Sequence, residues 1–117
     1  MKNLILILLF ALTITNCSNT KETPLLLPIA AEPSAKLHNN KGIGYFNNGK
    51  YLEALIKFTQ ASVADSTTGE IYFNLGLMQH LKGKQEKAKN LFKQARQFAN
   101  GNKKILGSTL IKKHLDP

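Results

Sequence analysis

The sequence contains an internal repeat with a period of 34 residues. The positions that recur as identical residues are the pairs Gly42 and Gly76, Gly49 and Gly83, Ala54 and Ala88, Phe58 and Phe92, and Ala61 and Ala95. A period between about 20 and 50 residues is typical of arrays in which one supersecondary unit stacks on the next. The two copies cover residues 35 to about 101 of the 117-residue chain.

Within each copy the apolar residues follow the period of an α-helix. Ala54, Phe58 and Ala61 fall on one side of a predicted helix, and polar residues fall on the other. Thr67 and Glu70 have the spacing of a capping box, which predicts a helix start there. We predict helices over residues 36–48, 51–64, 70–82, 85–99 and 103–114.

The repeated residues resemble the tetratricopeptide repeat, a unit of two antiparallel helices with the pattern W-x₂-L-G-x₂-Y followed by A-x₃-F. The matching residues are Gly42, Tyr45, Ala54 and Phe58 in the first copy and Tyr72, Leu75, Gly76, Ala88 and Phe92 in the second. His38, Lys41 and Gln79 depart from the pattern. The resemblance implies an all-α fold, a short right-handed α-solenoid. Its parts would be a first repeat over residues 35–68, a second repeat over 69–102 and a capping helix over 103–117.

The N-terminus has the pattern of a bacterial lipoprotein signal peptide. An apolar run at residues 4–12 is too short to span a bilayer as a stable anchor. Residues 14–17 resemble a lipobox, although Asn16 replaces the usual small residue. We therefore predict a signal peptide over residues 1–16 and acylation of Cys17. A plain signal peptide and an uncleaved signal anchor are the alternatives.

Residues 17–34 are predicted to be a tether between the lipid anchor and the repeats. Pro24, Pro28 and Pro33 disfavour helix throughout this stretch. The apolar run at residues 25–27 is unusual for a solvated linker. It either packs onto the first helix or acts as a short linear docking site.

The resemblance also implies a partner-binding groove, lined by the first helix of each repeat. The residues implied are Asn40, Ile43 and Asn47 from the first copy and Phe73, Asn74, Leu77 and His80 from the second. Asn40 and Asn74 occupy equivalent positions. Amide and apolar side chains together suit an extended peptide or a helix. In the alternative, Ile43, Phe73 and Leu77 pack against the tether or the cap.

The net charge of +9 lies almost entirely in the repeats, since 14 Lys and Arg residues follow Ser34 against five acidic residues. Such a field favours anionic partners, including acidic proteins, lipid headgroups and envelope polymers. Lys89, Lys93 and Arg96 fall within about 60° of one another on a predicted helix and form a basic face. This face either binds an anionic partner or is simply solvated. Export and the lack of interleaved aromatic residues argue against nucleic acid.

The sequence offers little support for catalysis. Cys17 is the only cysteine, and His38, His80 and His114 do not have metal-ligand spacing. The glycines recur at the repeat period and form no phosphate-binding loop. We therefore predict no enzymatic activity, no cofactor and no metal.

Together these features predict a lipid-anchored adaptor that binds an unidentified protein or peptide partner in a bacterial cell envelope. Ser18 favours the outer membrane over the inner one. Because three repeats are usually needed for stability, two repeats also allow self-association. The alternatives are a binder of anionic membrane or envelope polymer, which would use the basic face, and a fragment that folds only within a larger complex.

Overall fold

The computed structural model describes residues 21–117, and this part of the chain is all-α, with six helices and no strand. The predicted signal peptide at residues 1–16 and the predicted acylation site Cys17 lie outside the described residues. The helices are α1 (Pro33–Asn47), α2 (Tyr51–Ala64), α3 (Gly69–Leu81), α4 (Gln85–Gln97), α5 (Lys103–Leu106) and α6 (Thr109–Leu115). Within residues 21–117, none of the helices combines the length and apolar composition that crossing a membrane requires.

The helices form consecutive pairs, in which α1 packs on α2 and α3 packs on α4. A β-carbon at Gly42 would lie 2.5 Å from Cε1 of Phe58, and one at Gly76 would lie 2.6 Å from Cε1 of Phe92. Both phenylalanine rings are fully buried. Each glycine lies directly under the phenylalanine ring, so its lack of a side chain lets the two helices of each pair approach closely.

Helix α3 is the centre of the core. Every residue from Gly69 to Met78 is buried except Tyr72, which is half-buried. Helix α1 is different, because only one of its faces is buried, and that face carries Ala35, Asn39, Gly42 and Phe46. The reason is position: α3 packs on both α2 and α4, whereas α1 packs mainly on α2.

The first helix begins earlier than predicted, at Pro33, so the tether prediction over residues 17–34 extends too far. The Glu32 side chain accepts a hydrogen bond of 2.9 Å from the amide of Ala35. A proline is favourable in the first turn of a helix, because the amide that it lacks would have no partner there. Glu32 and Pro33 therefore start α1.

The prediction of one capping helix over residues 103–114 is wrong, since the structure has two short helices there. The Ser108 hydroxyl accepts a hydrogen bond of 3.1 Å from the amide of Ile111 and so caps the start of α6. Asn102 caps α5 in the same way through the amide of Lys104. Each short helix thus has its own N-cap, and the chain turns at Gly107.

The predicted capping box at Thr67 and Glu70 is also wrong. The N-cap of α3 is Thr68, and its side chain makes no capping hydrogen bond. Glu70 instead accepts a hydrogen bond of 3.0 Å from Nδ2 of Asn102. The Glu70 carboxylate is therefore used to join the start of α3 to the connection between α4 and α5.

Candidate functional site: an asparagine pair under an N-terminal segment

Residues 21–31, here called the docked segment, lie along the groove between α1 and α3. The segment has neither helix nor strand structure. Leu25 and Leu27 are half-buried against the hydrophobic core, whereas Leu26 and Ile29 are exposed by 71% and 94%. Alternate leucines therefore face inward and outward, as in an extended chain.

An asparagine pair holds the backbone of the docked segment at Leu25. The Leu25 amide donates to Oδ1 of Asn74 at 2.7 Å. The Leu25 carbonyl accepts from Nδ2 of Asn39 and from Nδ2 of Asn74, each at 2.9 Å. Nδ2 of Asn74 also donates to Oδ1 of Asn39 at 2.8 Å. The two amide side chains, both fully buried, thus satisfy each other and both backbone polar groups of Leu25.

Three further contacts fix the docked segment along its length. The Ser108 hydroxyl donates to Oε2 of Glu22 at 2.8 Å, which ties the start of the segment to the end of α5 and the start of α6. Nζ of Lys36 donates to the carbonyl of Ile29 at 2.9 Å. The Glu32 amide, just after the segment, donates to Oδ2 of Asp65 at 3.2 Å. The segment is therefore held at both ends as well as at the asparagine pair.

Under the docked segment, Phe73, Asn74 and Leu77 are the buried members of the predicted groove. Ile43 and His80 are half-buried, and Asn47 is exposed. Phe73 lines a recess together with Leu25. Three of the seven predicted groove residues, all on α3, are therefore buried in the structure, whereas Asn40 and Asn47 on α1 are exposed.

The sequence prediction paired Asn40 with Asn74, whereas the structure pairs Asn39 with Asn74. Asn40 is exposed. The physical reason is that α1 buries one face only, and Asn39 lies on that face, one turn before Gly42. The helical spacing between Asn39 and Gly42 within α1, and not the 34-residue offset, is the sequence signal that identifies Asn39.

A histidine pair lies where α3 meets α6. Nδ1 of His80 is 3.0 Å from Nε2 of His114, and the two rings are edge to face. Burial and the nearby His80 lower the pKa of His114, and Lys113 and Lys89 lower it further. The contact requires one ring nitrogen to donate and the other to accept, so the two rings cannot both be protonated while it is made. Among the described residues, no three His, Cys, Asp or Glu side chains form a group able to hold a metal.

We expect the folded chain to lose stability on acidification just below the ordinary histidine pKa of about 6.5. His114 has a lowered pKa in the folded state, so the unfolded state binds the proton first and stability falls as pH drops through that window. Urea unfolding at a series of pH values between neutral and mildly acidic measures this slope. His114→Gln should flatten it. An unchanged slope in that variant would remove the histidine pair as the cause.

The basic face predicted on α4 is only partly available. Arg96 forms an ion pair of 2.8 Å with Asp116, and both side chains remain about half exposed. Lys89 is half-buried beside His114, whereas Lys93 is exposed. Of the three predicted cations, Arg96 is therefore paired with a carboxylate and Lys89 is half-buried, which weakens this face as a polyanion site.

This arrangement of side chains can recognise a peptide backbone. The asparagine pair presents one acceptor and two donors to a single residue, and leucine side chains fill the space on either side. Neither protein-family models, nor curated proteins, nor solved structures gave a match to this chain.

Proposed function

We propose that the chain is a lipid-anchored adaptor of a bacterial cell envelope, which binds an extended protein segment in the groove between α1 and α3. Two tetratricopeptide-like repeats would form this groove, and acylated Cys17 would hold it at the membrane. The two helix pairs and their matched glycine–phenylalanine contacts support the repeat assignment. The observation that carries the proposal is the asparagine pair on the backbone of Leu25.

The contacts to the docked segment define the partner class. Hydrogen bonds to a backbone amide and carbonyl accept many sequences, because every residue except proline carries both groups. Selectivity then comes from the side chains that enter the groove, here Leu25 and Leu27. A fitting partner is an extended segment with apolar residues at alternate positions.

A partner segment must compete with the docked segment. Because residues 21–31 are joined directly to α1, their effective concentration at the groove is of the order of millimolar. A partner therefore binds weakly to the resting protein and tightly only when the docked segment leaves. The docked segment would therefore regulate partner binding, because a partner has to displace it from the groove.

The test uses a labelled synthetic peptide with the sequence of residues 21–31 and the full chain in detergent. Leu25→Asp places a charge at an inward position and should free the groove, so the peptide should bind at least about tenfold more tightly than to the unaltered chain. Leu26→Asp is the matched control, because Leu26 points to solvent. Fluorescence anisotropy reports both affinities.

Adding Asn74→Ala to the Leu25→Asp chain should abolish the gained binding, since the peptide backbone then loses its hydrogen-bond partners. If the Leu25→Asp chain binds the peptide no better than the Leu26→Asp chain does, the groove is not a peptide site. The adaptor proposal would then fall.

A further inference from the structure

The docked segment begins beside the two C-terminal helices, amid a cluster of lysines. Lys21 and Glu22 line one recess with Lys103 and Lys104, and a second recess with Lys113. The hydrogen bond from Ser108 to Glu22 fixes this end of the segment to the start of α6. The chain therefore enters the described fold at the point where α5 and α6 concentrate positive charge.

The same surface also exposes apolar side chains. Leu106 on α5 is 50% exposed next to Lys103 and Lys104, and Leu81 is 40% exposed in the recess that contains Lys113. All four lysines are exposed, and Glu22 is the only carboxylate lining either recess. Leucines surrounded by lysines are typical of surfaces that lie in a membrane interface. We call Lys21, Lys103, Lys104, Leu106 and Lys113 the cap patch.

We propose that the cap patch contacts the membrane and binds anionic phospholipid headgroups. The inference rests on the proposed lipid anchor at Cys17. Cys17 and Lys21 are only four positions apart, and four residue steps span at most about 14 Å. While the segment is docked, the anchor would thus hold the cap patch close to the bilayer. Each lysine near an anionic membrane strengthens contact by about fivefold, so the patch would supply a second attachment beside the acyl chains.

A second exposed apolar surface lies on α2 and is the competing candidate for membrane contact. Leu52, Ile56 and Val63 are exposed by 61%, 49% and 83%. These residues belong to the first helix pair, and their repeat equivalents in α4 are the polar residues Glu86, Asn90 and Gln97. The two surfaces differ in charge, because the α2 surface lacks the lysine cluster that surrounds the docked segment's start. Membrane contact through the cap patch is therefore expected to require anionic lipid, whereas contact through the α2 surface is not.

The test uses single-tryptophan chains, which is simple because the natural sequence has no tryptophan. Full-length Leu106→Trp and Leu52→Trp chains are purified from the membranes of the expression host, and their intact masses are measured. Each is then placed in vesicles of brominated phosphatidylcholine, with or without brominated phosphatidylglycerol. Quenching by the brominated chains reports contact of the tryptophan with the bilayer.

We expect quenching of Leu106→Trp in vesicles that contain phosphatidylglycerol, with loss of quenching at high salt, and little quenching of Leu52→Trp. Adding Lys103→Gln and Lys104→Gln should weaken the contact by about fivefold per lysine. Lys41→Gln with Lys50→Gln, in the first helix pair, is the matched control and should leave it unchanged. Quenching of Leu52→Trp instead, or no quenching of Leu106→Trp, overturns the proposal.

The mass measurement separates this proposal from the anchor. If the chain is acylated but the tryptophan fluorescence of Leu106→Trp is not quenched, the anchor proposal stands and the cap-patch proposal is overturned. A chain without acyl mass whose Leu106→Trp shows salt-sensitive quenching supports the cap patch and overturns the anchor.

Discussion

Gly42→Ala should lower the free energy of unfolding by about 1–3 kcal/mol, the usual cost of overpacking a core. Its new methyl group would lie 2.5 Å from Cε1 and 2.7 Å from Cδ1 of Phe58, whose ring is fully buried. Gly44→Ala in the same helix meets nothing within 4 Å. It should raise the free energy of unfolding by about 0.5–1 kcal/mol, because alanine favours helix over glycine. Urea denaturation of both variants measures the contrast.

A compensating change checks the cause. Phe58→Leu removes the ring atoms that the methyl group would meet, so its cost should be smaller in the Gly42→Ala background than alone. Gly76→Ala should behave like Gly42→Ala, because the equivalent methyl group would lie 2.6 Å from Cε1 of Phe92. If Gly42→Ala and Gly44→Ala stabilise the chain equally, helix propensity rather than the crossing controls position 42.

Asn74→Ala should release the docked segment from its groove. The change leaves the Leu25 amide and Oδ1 of Asn39 without their partners, and each unsatisfied buried group costs about 1–3 kcal/mol. Amide hydrogen exchange of the full chain in detergent should therefore show the Leu25 amide exchanging at least about tenfold faster. The helices should keep their protection in α2 and α4, away from the groove.

Asn40→Ala is the control for this experiment, because Asn40 occupies the repeat position equivalent to Asn74 but is exposed. It should leave the exchange rate at Leu25 unchanged. Equal protection of Leu25 in the Asn74→Ala chain would show that the leucine side chains, and not the asparagine pair, hold the segment.

The sequence alone determined that four long helices exist and how they pair within each repeat. Residues that recur 34 positions apart, such as Gly42 with Gly76 and Phe58 with Phe92, specify a small residue and a large one for each crossing. This information is local, because helical periodicity and turn glycines involve residues only a few positions apart. Both features recur in the second repeat. The predicted bounds of α2 agree with the structure for this reason.

Only the tertiary structure decided what the N-terminal segment does. The bond from Leu25 to Asn74 joins residues 49 apart, and the bond from Ser108 to Glu22 joins residues 86 apart. The recruitment of Glu70 by Asn102 depends in the same way on which surfaces meet. Helical periodicity and repeat spacing do not predict such long-range contacts, because they describe only how side chains are arranged within one element. Which backbone fills the groove is set by long-range packing and by the need of buried amides to find partners.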